Sequence, residues 1–374
     1  MGLRLRIENF QSQICVCAAS TNLTCAKGRA EMGLTMTEQE NGGSIEKKRP
    51  MMVLSGPTAV GKTKLSIALA KAVGGEIISA DSMQVYQYMD IGSAKITEEE
   101  MQGVPHHMIN ILKPWEEFSV AVFQSRCEQC LPGIYERGHI PIVTGGTGFY
   151  VQALLRDIDF TKDVNETQNT GENPEYRAFL EMLAAEKGPL YLHEMLAQVD
   201  PESAKIIHPN NIKRTIRALE YFHLTKEPIS RHNKREREKP SAYHSCYFVL
   251  NDVREKIYAQ IDRRVDEMIA LGLVEEVRQL RQMGCHRGMT SMQGLGYKEI
   301  LAYLEGEISL EEAVERIRRD TRHFAKRQLT WFRREKDIVW VNKDAFDYNE
   351  DKILHYMLET AAGRMGISLR GNNT

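Results

Sequence analysis

The octapeptide Gly56-Pro57-Thr58-Ala59-Val60-Gly61-Lys62-Thr63 limits what this chain can fold into more than any other stretch of it. It fits G-x-x-x-x-G-K-[ST] without a gap, with the apolar run Met51–Ser55 before it and the amphipathic pattern Thr63–Val73 after it. Such a loop joins a strand to a helix. Its glycines let the backbone curl into a nest of N–H donors at the helix N-terminus, Lys62 supplies a point charge to phosphate oxygens, and the Thr63 hydroxyl can ligate Mg²⁺. Residues 56–63 therefore read as a diphosphate-binding loop. A bound triphosphate is not required by the pattern.

Beyond the loop, β-type runs at Glu76–Asp81 and Ile140–Thr144 alternate with helical patterns at Val120–Arg137 and Gly145–Leu155. Strand, helix, strand predicts an α/β fold with a P-loop NTPase-like, doubly wound parallel sheet as its core. Residues 157–173 are polar, and 174–206 read as short helices around Leu180, Leu183, Leu190, Leu192 and Leu196, so 157–208 is expected to form a small helical insertion domain. The core is then expected over 47–156 and 209–345, with 346–374 a C-terminal helix and tail. A long helix is expected to open at Asp252 with Glu255 reaching back, burying Ile257, Ile261, Val265 and Met268. Another opens at Ser309 with Glu312; one stripe of it carries Ile317, Phe324 and Trp331, a second Arg319, Arg322, Lys326 and Arg333. A last strand, Ile338–Val341, returns to the sheet.

Hydrophobic residues at 42% and charged residues at 27% describe an ordinary globular chain rather than a disordered one. No stretch approaches the roughly 20 apolar residues of a membrane span, so no membrane partner is expected. Residues 1–46 are polar and aperiodic, which predicts a disordered extension; Met32, Met36, Met51 and Met52 leave an alternative start open. Seven cysteines, three of them Cys15, Cys17 and Cys25, make no disulfide framework and suit a reducing cytoplasm. Cys127-x-x-Cys130 lacks a second pair at zinc spacing.

The formal charge is only −2, but it is unevenly spread. Residues 213–240 hold nine Lys/Arg against four Asp/Glu, and 316–337 hold nine against three, two local footprints suited to phosphate. Within the first, Arg231–Lys239 reads as a solvated loop because Glu236 and Glu238 interrupt its positive charge. Aromatic residues accompany both zones, Tyr221 and Phe222, then Trp331 and Phe332; side chains of this kind are more often core than stacking surface.

Asp81 decides the chemistry. At the end of its strand it should lie near the loop, at the carboxyl edge of the sheet. In a kinase it would organise Mg²⁺ and water; in a transferase it would be a general base for a substrate amine or hydroxyl; a turn-forming aspartate is the plain structural alternative.

The motifs that follow carry a resemblance. Asp81-Ser82-Met83-Gln84-Val-Tyr86, Met89-Asp-Ile-Gly92, Pro105-His-His107, Gly145-Gly-Thr147-Gly-Phe-Tyr150, His208-Pro-Asn-Asn-Ile-Lys213-Arg214, Arg217-Ala-Leu-Glu220, Gly294-Leu295-Gly296-Tyr297-Lys298, Tyr303-Leu-Glu-Gly306 and Ala325-Lys-Arg-Gln-Leu-Thr-Trp331 together resemble the tRNA dimethylallyltransferases over about 49–340. The resemblance implies transfer of a dimethylallyl group from dimethylallyl diphosphate to the exocyclic amine of adenosine 37 of tRNA, with Mg²⁺. It implies that Asp81 accepts the proton, that Thr58 bridges the reacting ends and that Arg217 stabilises the leaving diphosphate. It further implies tRNA contacts at Asp81, Ser82, Met83, Gln84 and Thr147, at Lys213, Arg214, Thr215, Ile216 and Arg217, at Gln293, Gly294, Leu295, Gly296, Tyr297 and Lys298, and at Arg177; Arg322 belongs to the phosphate-facing stripe. Gly145–Gly148 looks like a second phosphate loop but lacks the following Lys-Ser/Thr. His106 and His107 are neighbours on a strand and so point apart, which disfavours a shared metal. Eukaryotic relatives often add a C-terminal zinc finger, and residues 341–374 contain His355 but no cysteine, as in the compact bacterial form. A monomer is the default expectation. The alternatives are a prenyltransferase of free adenine nucleotides, a small-molecule kinase and a non-catalytic RNA-binding module. The length of the second half and its basic zones favour tRNA over a nucleotide-sized acceptor.

Overall fold

The structure, a computed structural model, describes residues 48–160 and 173–366. The expected extension 1–46, most of the polar 157–173 segment and the end of the tail lie outside the described residues. In chain order the elements are β1 (Pro50–Ser55), α1 (Lys62–Val73), β2 (Gly75–Ser79), α2 (Glu98–Met101), β3 (His106–His107), α3 (Val120–Glu136), β4 (Ile140–Gly145) and α4 (Gly148–Arg156). Five helices follow, α5 (Pro174–Lys187), α6 (Pro189–Val199), α7 (Pro201–Ile206), α8 (Ile212–Thr225) and α9 (Ile229–Glu238). The chain then runs through β5 (His244–Asn251), α10 (Arg254–Ala270), α11 (Leu273–Gln282), α12 (Tyr297–Leu304), α13 (Leu310–Phe332), β6 (Ile338–Asn342) and α14 (Glu350–Met365).

The six strands form one all-parallel sheet in the order β3-β2-β4-β1-β5-β6. The central strands are apolar almost throughout because both faces are covered. Met51 and Val53 of β1 face a core built with α3, α4, α11, α12 and α13, while Met52 and Leu54 face one built with α1 and α14. β5 alternates likewise: Tyr247 and Val249 join the first core, Cys246, Phe248 and Leu250 the second. This strand was not among those expected, although the unbroken run Cys246–Leu250 is the pattern of a buried parallel strand.

Three expectations about local structure are corrected. The helix expected to open at Asp252 begins at Arg254, with Val253 at its cap; Asp252 Oδ1 instead accepts from its neighbour Val253 N at 2.8 Å and from Tyr348 Oη at 3.2 Å. On α13, Ser309 caps as expected, but the buried stripe is Ala313, Ile317, Ala325, Gln328 and Phe332. A strict seven-residue spacing drifts by about 20° per heptad on an α-helix, so Phe324 and Trp331 end at the margin of that stripe. Residues 231–239, read as a loop, lie mainly in α9, where Glu236 is buried and accepts from Asp159 N at 3.0 Å while pairing with Lys239 at 2.5 Å. Its inward carboxylate gives this charged segment a buried face.

The helical cluster also extends further than the expected insertion. Leu180, Leu192 and Leu196 pack with Ile216, Ala218 and Leu219 of α8.

The amino edge of the sheet is tied by a buried carboxylate. Glu76 accepts from Arg137 Nε and Nη2 at 2.7 and 2.8 Å and is hydrogen-bonded to His107 Nε2 at 2.6 Å and His139 Nδ1 at 2.7 Å. The Arg137 bonds above all, then the two histidines, hold its pKa down to about 2 against the opposing effect of burial. A carboxyl depressed below its ordinary 4.5 contributes stability that is complete above that value and is lost as pH falls toward 2. Glu76→Gln should lower stability at pH 7 by roughly 2–3 kcal/mol in urea unfolding and flatten the loss of stability between these pH values. An unchanged acid limb would place the acid-sensitive group elsewhere.

Candidate active site

All-parallel strands place every carboxyl end on one edge, and the chemistry gathers there. The loop of residues 56–61 leaves β1, Asp81 stands two residues past β2, Gly146 and Thr147 follow β4, Asp252 follows β5 and Lys343 follows β6. Asp81 was expected at the strand end; β2 stops at Ser79, and Asp81 Oδ1 instead holds the ensuing turn, accepting from Met83 N at 2.8 Å and Gln84 N at 3.4 Å.

The phosphate loop has the backbone its motif requires. Ala59 and Gly61 take positive φ values of 62° and 97°, and α1 begins immediately at Lys62. Lys62 Nζ donates to Gly56 O at 3.0 Å and Pro57 O at 2.8 Å, so the lysine folds across the loop. Thr63, in the first turn of α1, is exposed. Burial, then the positive charge of Arg264, pushes the Lys62 pKa down to about 7, with Asp81 opposing. The Arg264 pKa is itself lowered by burial, with Glu267 and Asp81 acting against the shift. One carboxylate and two cations thus act on one another beside the loop. A cavity of about 530 Å³ opens there between Ala59–Gly61, Arg263 and Arg264 of α10, and Lys343.

Arg264 was missed from sequence, although a signal was present. It lies seven residues after Ile257 and three after Ile261, on the stripe that buries those side chains, where an arginine needs a reason to be. Arg217, expected at the diphosphate, lies on α8, whose principal packing partners are α5, α6 and α9.

The Gly145–Gly148 loop owes its glycines to close approach. A Cβ on Gly145 would stand 2.3 Å from Ala80 O, on Gly146 2.1 Å from Gln328 Nε2, and on Gly148 2.2 Å from Trp331. This loop packs flat against its neighbours, and Thr147 N bonds back to Ala80 O at 3.4 Å.

The residues expected to meet tRNA separate into two groups. Ser82, Met83 and Thr147 border the site and are partly exposed, as are Leu295 and Lys298, and Lys213, Arg214 and Gln293 are exposed. The others are engaged within the protein. Gln84 organises its own loop, accepting from Ser79 Oγ at 3.1 Å and donating to Ala94 O at 3.2 Å. Thr215 and Ile216 lie on the buried face of α8, and Gly294, Gly296 and Tyr297 are buried at the start of α12. Tyr297 Oη donates to Glu276 Oε1 at 2.8 Å, and the same carboxylate receives the N–H groups of Asp90, Ile91 and Gly92 at 2.7–3.1 Å. That is what holds the Met89–Gly92 motif beside the site. Arg177 Nη2 pairs with buried Glu220 at 2.6 Å, and Arg322 forms a two-oxygen pair with Asp262, 2.6 Å to each, joining α13 to α10.

The basic face of α13 is real but centred elsewhere than on Arg322. A groove of about 400 Å³ is lined by His323, Lys326, Arg327, Thr330, Trp331 and Arg334. The Trp331 ring meets Phe149, exposed at the start of α4, edge-on at 6.0 Å. Tyr221 and Phe332 are core residues, whereas Phe222 and Trp331 are only partly buried. Among the described residues, no group of three or more His, Cys, Asp or Glu is placed to hold a metal, and no helix is long and apolar enough to cross a membrane.

Comparison with known proteins bears on this arrangement. A family model described as IPP transferase matches residues 84–335, and one described as isopentenyl transferase matches 50–110. The tRNA dimethylallyltransferase of Lachnoclostridium phytofermentans is 58% identical over 81% of this chain and 94% of its own; that of Acetivibrio thermocellus is 48% identical over 83% and 97%. Among solved structures, the tRNA isopentenylpyrophosphate transferase of Bacillus halodurans is 41% identical with a TM-score of 0.61, covering 85% of this chain and 98% of that one. A eukaryotic dimethylallyltransferase solved while acting on tRNA is 28% identical with a TM-score of 0.71, covering 87% and 81%. The identity of these relatives runs over most of the chain, phosphate loop and sheet included, and the chain belongs to the IPP transferase family, the tRNA dimethylallyltransferases.

Proposed function

We propose that this protein transfers a dimethylallyl group from dimethylallyl diphosphate to the N6 amine of adenosine 37 in tRNA, giving N6-dimethylallyladenosine and diphosphate. The observation that carries the reading is the carboxyl edge of the sheet, where the phosphate loop with Lys62 folded across it and Asp81 in the turn after β2 stand together with Arg264 of α10. A diphosphate leaving group needs fixed positive charge where its negative charge grows, and the accepting amine needs a base within reach. Lys62 and Arg264 offer the charge, and Asp81, in the turn after β2, is the base beside them.

The adenine amine is a weak nucleophile, and a carboxylate of reference pKa about 3.9 cannot deprotonate it beforehand. Asp81 therefore accepts the proton as the N6–carbon bond forms and the carbon–oxygen bond to diphosphate breaks. Lys62, Arg264 and the N–H groups of residues 59–63 receive the departing charge, with Thr58 in the loop nearest both reacting ends. In this reading Arg264 takes the part that the sequence resemblance assigned to Arg217. Thr63, an exposed hydroxyl in the first turn of α1, would hold Mg²⁺, which would supply further charge neutralisation to the departing diphosphate.

The target base has to leave its stack to reach this edge, and the α13 groove offers an aromatic ring and cations to the loop around it. The groove favours a polynucleotide over a free nucleotide. Ser82, Met83, Thr147, Lys213, Arg214, Gln293 and Lys298 complete the tRNA surface, while Thr215, Ile216, Gly294, Gly296 and Tyr297 shape it from beneath. The helices from Pro174 to Glu238 act as the clamp domain on the sheet core, and the protein works as a monomer in the cytoplasm, where its tRNA is.

The test is mass analysis of nucleosides from unmodified tRNA incubated with the protein, Mg²⁺ and dimethylallyl diphosphate. A dimethylallyl gain on the anticodon-loop adenosine is expected. A gain on AMP or ADP but not on tRNA would move the activity to free nucleotides.

A further inference from the structure

Gln328 is a buried polar side chain that the reaction as described does not use. It lies on α13 with 6% of its surface exposed, turned away from the basic groove. Its amide makes two bonds to different loops. Oε1 accepts from Thr58 N, inside the phosphate loop, at 2.9 Å, and Nε2 donates to Gly146 O, beside Thr147, at 3.0 Å. Gly146 has no room for a side chain because this amide occupies the space. The N–H of Thr58 is thereby pointed at α13 and not into the nest, so the side of the loop that meets donor is set by a residue of the helix that bears the groove.

We infer that Gln328 is a positioning residue: it holds the donor loop at Thr58 and the acceptor loop at Thr147 in fixed register, and links both to the helix on which tRNA docks. The inference rests on the proposed function, since it takes Thr58 as donor-side and Thr147 as acceptor-side. Two loops held by one rigid amide keep the attacking nitrogen and the reacting carbon in line, and small misplacements of reacting groups cost rate far more than affinity. A glutamine suits the task because one planar group presents an acceptor and a donor at once.

The test compares Gln328→Met and Gln328→Glu with the parent. Gln328→Met keeps the volume and removes both bonds. It should lower kcat about 10- to 100-fold while the KM for dimethylallyl diphosphate and the affinity for tRNA stay within about threefold. Gln328→Glu supplies a discriminating readout. Its carboxyl, when protonated, can accept from Thr58 N and donate to Gly146 O; when ionised it faces the Gly146 carbonyl with no proton to give. The ratio of its kcat to the parent's should therefore rise as pH is lowered from 8 to 6. Unchanged kcat in Gln328→Met, or a rate loss in both variants that tracks a loss of folded protein in thermal melts and does not recover at low pH, would overturn the inference. If the parent itself leaves tRNA unmodified, the proposed function fails instead, which keeps the two apart.

Discussion

Asp81→Asn lowers the rate of dimethylallyl transfer by about 10²–10⁴-fold, the range over which a positioned base contributes, while tRNA binding stays within a few-fold. The separation follows from geometry. The amide of the variant can still accept from Met83 N and Gln84 N, so the turn after β2 survives, and only the capacity to take a proton is lost. Single-turnover transfer on preformed enzyme–tRNA complex reads the chemical step, and filter binding reads affinity. A collapse of tRNA binding with little change in single-turnover rate would make Asp81 a contact for the base and would send the search for the proton acceptor elsewhere.

Arg264→Gln lowers kcat by about 10²–10³-fold, comparable to the loss of one donor that stabilises charge developing in a transition state. It also has a second, independent signature. Burial and Arg264 together hold Lys62 at about 7 in the free protein. Lysine is charged below its pKa, so kcat/KM for dimethylallyl diphosphate should fall as pH rises through about 7, because that parameter reports the free enzyme. Removing Arg264 removes a repulsion, the Lys62 pKa rises, and the falling limb moves to higher pH. Arg217→Gln should leave the limb in place. A limb that stays near 7 in Arg264→Gln would mean that burial alone depresses Lys62, and an equal shift in Arg217→Gln would restore α8 to the diphosphate site.

Much of this was legible in sequence for identifiable reasons. A phosphate loop is local: its glycines, lysine and threonine are contiguous, so pattern and function coincide in residues 56–63. The parallel sheet follows from the alternation of short apolar runs with amphipathic ones. Arg264 was not legible in the same way, because its meaning depends on a helix some 200 residues later in the chain packing against that loop; only its place on an apolar stripe marked it. The contacts expected at Thr215, Ile216 and Tyr297 show the reverse case. Motif membership names the residues that build a surface without separating those that face outward from those beneath, and burial alone separates them. Arg177 and Arg322 carry charge suited to phosphate, but each has a carboxylate partner that spacing in the sequence does not reveal.

The folded-back position of Lys62 bears on which molecules the site will admit. Its ammonium already rests on the carbonyl oxygens of Gly56 and Pro57, so the loop satisfies its own cation. An incoming prenyl compound has to offer that ammonium something better than two amide oxygens. A charged diphosphate does; a prenyl alcohol, equal in its hydrocarbon but without charge, does not. Discrimination between the activated donor and its hydrolysed remnant therefore begins with the lysine's choice of partner, before any contact with the five-carbon group is made.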